Sequence, residues 1–173
     1  MATAERYPPL LGLAAFSGTG KTTLLTQLIP KLRAQGLKVA VIKHAHHLFD
    51  LDQPGKDSYK LRQAGASPVM VVSSLRRAII YEYENQEVRL AEQLPFLVTQ
   101  GLDLILVEGF KREPTLPKIE LHRQALGHPL LFPQDPSIIA VASDVKFPCP
   151  LPVLDLNQPH QICEFILHDF LGR

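Results

Sequence analysis

With 173 residues, 46% of them hydrophobic and 20% charged, the chain is sized for one domain. Such a domain buries roughly 70% of the surface its unfolded form exposes, so it needs no staples. A formal net charge of +1 excludes a disordered polyelectrolyte and advertises neither nucleic acid nor an anionic membrane as partner. The two cysteines, Cys149 and Cys163, make no CxxC pair and read as reduced thiols of a cytoplasmic protein.

The apolar run 10–16 is too short to span a bilayer and reads as a buried strand feeding a glycine-rich turn. A helix follows from Lys21 to about Gln35, with Leu24, Leu25, Leu28, Ile29 and Leu32 on one face, Pro30 inside it and Gly36 as its stop signal. Further buried strands are expected at 38–43, 68–72, 102–107, 138–142 and 153–156. Helices are expected at 57–64, at 90–100 around Pro95, and at 159–171 with Ile162, Phe165, Ile166 and Phe170 inward. Alternating strand and helix predicts an α/β fold with a mostly parallel sheet in a single domain over 1–173. Residues 77–83 and 87–90 flank Glu84-Asn85-Gln86 and read as a hairpin at a sheet edge, either covered by a second subunit or left as a decorated edge of a monomer.

The turn carries the chemistry. Ala15-Phe16-Ser17-Gly18-Thr19-Gly20-Lys21-Thr22-Thr23 matches G-x-x-x-x-G-K-[ST] except for Ala15 in place of the first glycine. Gly18 and Gly20 free the backbone of Ser17 to Thr23 to wrap N–H groups around phosphates, and the helix start adds a positive dipole end. Lys21 is placed to reach β- and γ-phosphates, and the Thr22 hydroxyl to ligate magnesium. A methyl at position 15 is tolerated if that backbone has negative φ.

A phosphate loop needs a carboxylate at the end of a neighbouring strand. Glu108, closing the run 102–107 on the side where ligands sit in open α/β sheets, supplies it for magnesium; Asp103, at the opposite end, is expected to cap a turn. The next loop on the ligand side holds His44, His46, His47, Asp50, Asp52, Asp57 and Ser58. The histidines suit a metal, a phosphate or partner contact, or a plain loop. Asp57 and Ser58 either cap the helix they open or complete the magnesium shell and orient an attacking water. No guanine-reading N-K-x-D is present; Asp144, ending a late strand, either accepts the two guanine N–H donors or forms a turn with Ser143.

The segments FSGTGKTTLL, IKHAHH with PGKDSYKLRQAGA, LDLILVEGFK and IIAVASD, in this order, resemble the molybdopterin-guanine dinucleotide biosynthesis protein B (MobB) family. The resemblance covers most of the chain to about residue 145. It implies a P-loop NTPase-like, GTP-binding accessory protein with slow GTPase activity. It also implies a homodimer acting beside the guanylyltransferase that joins GMP to molybdopterin, with molybdopterin itself as a further ligand. Position 15 is similar to what that family carries. Two other functions compete: a small-molecule kinase whose Arg76, Arg77, Arg112 and Arg123 form a lid, and a metal-delivery GTPase using His44, His46 and His47.

Overall fold

The structure, a computed structural model, describes residues 7–45, 49–83, 87–97 and 99–173. The chain divides into two compact units, Met1–His44 with Arg89–Arg173, and Ala45–Val88.

The first unit is built on six parallel strands: β1 (Leu10–Ala14), β2 (Val39–Lys43), β5 (Leu104–Glu108), β6 (Lys118–His122), β7 (Ile138–Ser143) and β8 (Val153–Asp155), in the spatial order β2-β5-β1-β6-β7-β8. Pairing is in register across the centre, Leu11 opposite Leu106 and Leu13 opposite Ile119. Leu11, Leu13, Leu104, Leu106, Ile119 and Leu121 lie under α1 (Lys21–Ala34) and α4 (Pro159–Phe165). Leu24, Leu25, Leu28 and Leu32 are the buried stripe of α1, spaced at three and four residues as its periodicity requires. Each is worth roughly 1.5–3 kcal/mol of burial before entropy is charged against it. On the other face Ile105, Val107 and Leu116 pack with Leu90 and Leu94. Among the described residues no helix is long and apolar enough to cross a membrane.

The second unit contains α2 (Asp57–Gln63) and an antiparallel pair, β3 (Val69–Val72) with β4 (Arg77–Ile80), Val72 opposite Arg77. The turn is held by Ser73, whose N–H donates to the Arg76 carbonyl at 2.9 Å and whose Oγ accepts from the N–H groups of Leu75 and Arg76. Arg62 organises the preceding loop: its guanidinium bonds Asp50 at 2.9 Å, Asp52 at 3.2 Å and Glu82.

Several expectations are corrected. The run 68–72 is no buried strand of the parallel sheet, since Met70, Val71 and Val72 are exposed and pair only with β4. The hairpin partner of Arg77–Ile80 is therefore β3 and not 87–90, where Leu90 opens a helix; the expected turn Glu84-Asn85-Gln86 lies outside the described residues. The helix expected over 90–100 is one turn, α3 (Leu90–Gln93), tightened at Leu94–Phe96 because Pro95 has no N–H to continue it. Residues Ile166–Phe170 widen into a π-type turn after α4. Strand β6 is not among the expected strands, because Lys118 and Glu120 interrupt its apolar pattern although both are buried.

Candidate functional site

The C-terminal ends of β1, β5 and β2 lie side by side in the first unit, and the loop 15–20 leads from the end of β1 into α1. Gly18 (φ 79°) and Gly20 (φ 103°) occupy left-handed conformations that an L side chain resists. A Cβ on Gly18 would meet nothing within 4 Å, so the constraint there is conformational. Thr19 is buried, and its hydroxyl donates to the Phe16 carbonyl at 2.9 Å, closing the loop on itself. Ala15 is fully buried; Phe110 alone among the described non-glycine residues has positive φ, so the methyl at position 15 sits on ordinary backbone.

Gly20 starts α1 with no side-chain cap and no acidic residue in the first turn. Its first-turn N–H groups and dipole end are thus left for an anion. Lys21 curls back across the loop, Nζ donating to the carbonyls of Phe16 at 3.1 Å and Ala15 at 3.4 Å. Thr22 and Thr23 are exposed beside it, as are Ser17 and Gly18.

Glu108 ends β5 as expected, with its side chain only 12% exposed and paired to Lys43 Nζ at 3.5 Å. The turn after it is tight. Gly109 has φ 98°, and a Cβ there would fall 2.6 Å from His44 Cβ. His44 stacks on Phe110 at 4.6 Å, and its N–H donates to the Glu108 carbonyl at 2.8 Å. That geometry locks the carboxylate's backbone beside the phosphate loop. His46 and His47 lie outside the described residues, and no metal-binding group of three or more His, Cys, Asp or Glu occurs among the described ones. Asp103 accepts from the Lys38 N–H at 2.9 Å and from Arg173 at 2.7 Å, tying the start of β5 to residues 65 and 70 positions away rather than capping a local turn.

Burial, then the neighbouring Lys111 charge, holds the Lys21 ammonium below the ordinary lysine range; Glu108 opposes this and Lys43 adds to it. Phosphate oxygens favour the charged form, so anion binding should raise that pKa and take up a proton at alkaline pH. Triphosphate affinity should therefore fall as pH climbs from neutral into the lowered Lys21 range. Calorimetry in buffers of different ionisation enthalpy should report proton uptake there. Lys21→Arg, which stays charged, should flatten the profile; a flat wild-type profile would contradict the assignment.

On the other side of β1, the ends of β6, β7 and β8 carry Arg123, Asp144 and Asn157. Asp144 Oδ1 accepts from the Gln124 N–H at 3.0 Å, and Oδ2 lies 3.7 Å from Arg123. Arg123 Nε donates to the Thr19 carbonyl at 3.0 Å. Phe16 stacks on His128 at 4.3 Å, with Lys111 Nζ 5.7 Å from its ring centre. Lys111 is the last residue of the segment LDLILVEGFK, where the sequence reading gave it no role; His128 lies in no motif and has no signal in the sequence.

Lys21, Thr22 and Glu108 are thus gathered in one unit, with Asp144 at the end of a strand two places from β1. Asp57 belongs to the second unit, where it opens α2, is almost fully exposed and pairs with Lys60 at 3.7 Å. Neither Asp57 nor Ser58 caps α2; the Ser58 hydroxyl donates to Asp52 at 2.9 Å instead.

The family model described as molybdopterin guanine dinucleotide synthesis protein B matches residues 10–144. The chain is similar to the molybdopterin-guanine dinucleotide biosynthesis adapter protein of Escherichia coli, 48% identical over 92% of this chain and 91% of that protein. It is 45% identical to the protein of the same name from Haemophilus influenzae, over 95% and 92% of the two chains. A crystal structure of molybdopterin-guanine biosynthesis protein B matches with a TM-score of 0.73 at 27% identity, covering 95% of this chain and 99% of that one.

Proposed function

We infer that this chain, which belongs to the molybdopterin guanine dinucleotide synthesis protein B family, is a GTP-binding adapter of molybdopterin guanine dinucleotide biosynthesis with slow magnesium-dependent GTPase activity. The observation that carries the nucleotide is the uncapped start of α1 beneath an open glycine loop, with Lys21 folded over it and Glu108 at the adjacent strand end. These residues fit a magnesium triphosphate in kind: N–H donors and a cation would suit the phosphates, and a hydroxyl and a carboxylate would suit the metal. Thr22 and Glu108 would hold magnesium, which when bound neutralises charge on the β- and γ-phosphates.

The sheet order supports guanine as the base. Glu108 stands on one side of the phosphate strand β1, and Asp144 on the other, two strands away. A nucleotide with its phosphates over β1 and metal toward β5 would have its base toward β7, where a carboxylate can accept the adjacent N1–H and N2–H donors of guanine, a pair that adenine lacks. The described site holds no second catalytic constellation, which favours a switch or supplier over a kinase.

The partner assigned is the guanylyltransferase that joins GMP to molybdopterin, in the cytoplasm, with this chain as a homodimer. Exposed Met70, Val71, Val72 and Ile79 on the β3–β4 pair support self-association. The adapter role is tested by mixing transferase, molybdopterin, GTP and this protein. Wild type should raise dinucleotide yield severalfold and Lys21→Ala should not; no change with either, and no co-elution with the transferase, would remove the role.

A further inference from the structure

Arg123 touches both halves of the nucleotide site. It follows β6 directly, and its guanidinium lies against the phosphate loop: Nε donates to the Thr19 carbonyl at 3.0 Å, and a Cβ on Gly20 would lie 3.8 Å from both Nε and Nη2. The outer nitrogens point the other way. Nη1 lies 3.7 Å from Asp144 Oδ2, and Nη1 and Nη2 lie 3.4 and 3.5 Å from Asn157 Oδ1. These distances are long for charge-assisted bonds, so the outer N–H groups exchange partners at small cost. The Nε bond, of ordinary length and part-buried, is the firm one.

We propose that Arg123 couples base identity to the shape of the phosphate loop, with Nε holding the Thr19 carbonyl while the Nη groups donate to the carbonyl edge of guanine next to Asp144. The inference rests on the guanine reading of this site. Guanine offers O6 and N7 as acceptors to an arginine fork, whereas adenine places an N6 amino donor where O6 would be. Only the correct base completes both ends of the fork. A planar guanidinium can do this and an ammonium cannot, since a single nitrogen cannot reach two opposed partners with fixed geometry.

The test uses the full chain, magnesium and three probes: GTP, ATP and inorganic tripolyphosphate, which has no base. Arg123→Ala should lose about tenfold in tripolyphosphate affinity, because the loop carbonyl is released, and about tenfold in the GTP:ATP affinity ratio. Arg123→Lys should recover tripolyphosphate binding to within about threefold of wild type and leave the ratio low. Recovery of both by lysine would show that charge alone matters and would overturn the coupling. If Arg123→Ala does not fold, the same two affinities measured in Arg123→Lys decide between these outcomes. Asp144→Asn separates the choice of base from the coupling. An unchanged GTP:ATP ratio in that variant overturns the guanine reading and this inference with it. A lowered ratio there, together with wild-type tripolyphosphate binding in Arg123→Ala, overturns the coupling alone.

Discussion

Lys21→Ala should bind a magnesium triphosphate about a hundredfold more weakly than wild type and keep its folded stability. The loss corresponds to about 3 kcal/mol, the upper range for hydrogen bonds made by a charged group. Stability should hold because in the free protein Nζ bonds only two loop carbonyls at 3.1 and 3.4 Å, and burial already disfavours its charge. On the proposed assignment, in which the ammonium would contact both the β- and γ-phosphates, the effect should be larger for triphosphate than for diphosphate. Isothermal titration with matched thermal melts checks both halves. A variant that binds normally would remove the phosphate-loop assignment.

Lys118→Ala should have the largest effect on stability. This lysine is 1% exposed, and Nζ donates to the Glu113 carbonyl at 2.6 Å, to Asp135 at 3.1 Å and to Ser137 Oγ at 2.5 Å. It ties the segment before β6 to the segment before β7. Because Asp135 is 25% exposed and keeps its bonds from Ser137, the loss falls at or below the lower end of the about 3–5 kcal/mol for a fully buried pair, against a total of roughly 5–15 kcal/mol for a domain. The melting point should drop by about 10 °C. Lys118→Met, which refills the space, should recover part of this. Burial alone would raise the Asp135 pKa, but bonds from Ser137 and Lys118 outweigh it and bring it below the ordinary carboxylate range. Its stabilisation is therefore present above the unfolded carboxylate pKa and is lost as pH falls through the lowered folded value. Urea melts from neutral to acid pH should show a shallower acid loss in Lys118→Met than in wild type.

That lysine also explains what the sequence conceals. Strand β6 carries Lys118 and Glu120 at alternate positions, a pattern that ordinarily marks a solvated face. Both are buried because each has a private partner. Lys118 has the Asp135 cluster, and Glu120 accepts from the N–H groups of Leu131 and Phe132 at 2.7 and 2.9 Å. Those partners lie 11 to 19 residues on, beyond any local window. The phosphate loop is legible for the opposite reason: strand, glycines, lysine and leucine-striped helix are contiguous, so their geometry is set within 25 residues. Glu108 is legible from an apolar run ending in one carboxylate.

The hairpin is misread from sequence because β3 looks like a core strand, Val-Met-Val-Val, and composition cannot tell an exposed apolar strand from a buried one. Exposed, the same residues support a docking role. Arg123 stands out in the sequence only as one of several lid arginines. Its bond to Thr19, 104 residues earlier in the chain, exists only because β6 is inserted next to β1.

Calorimetric titration of the full chain with GTP and with ATP, each with magnesium, tests the nucleotide assignment most directly. The geometry at Lys21, Glu108 and Asp144 predicts saturable binding of one GTP per chain, at least about tenfold tighter than ATP. Equal affinity for the two nucleotides would contradict the guanine site, and the absence of binding by either would contradict the phosphate site itself.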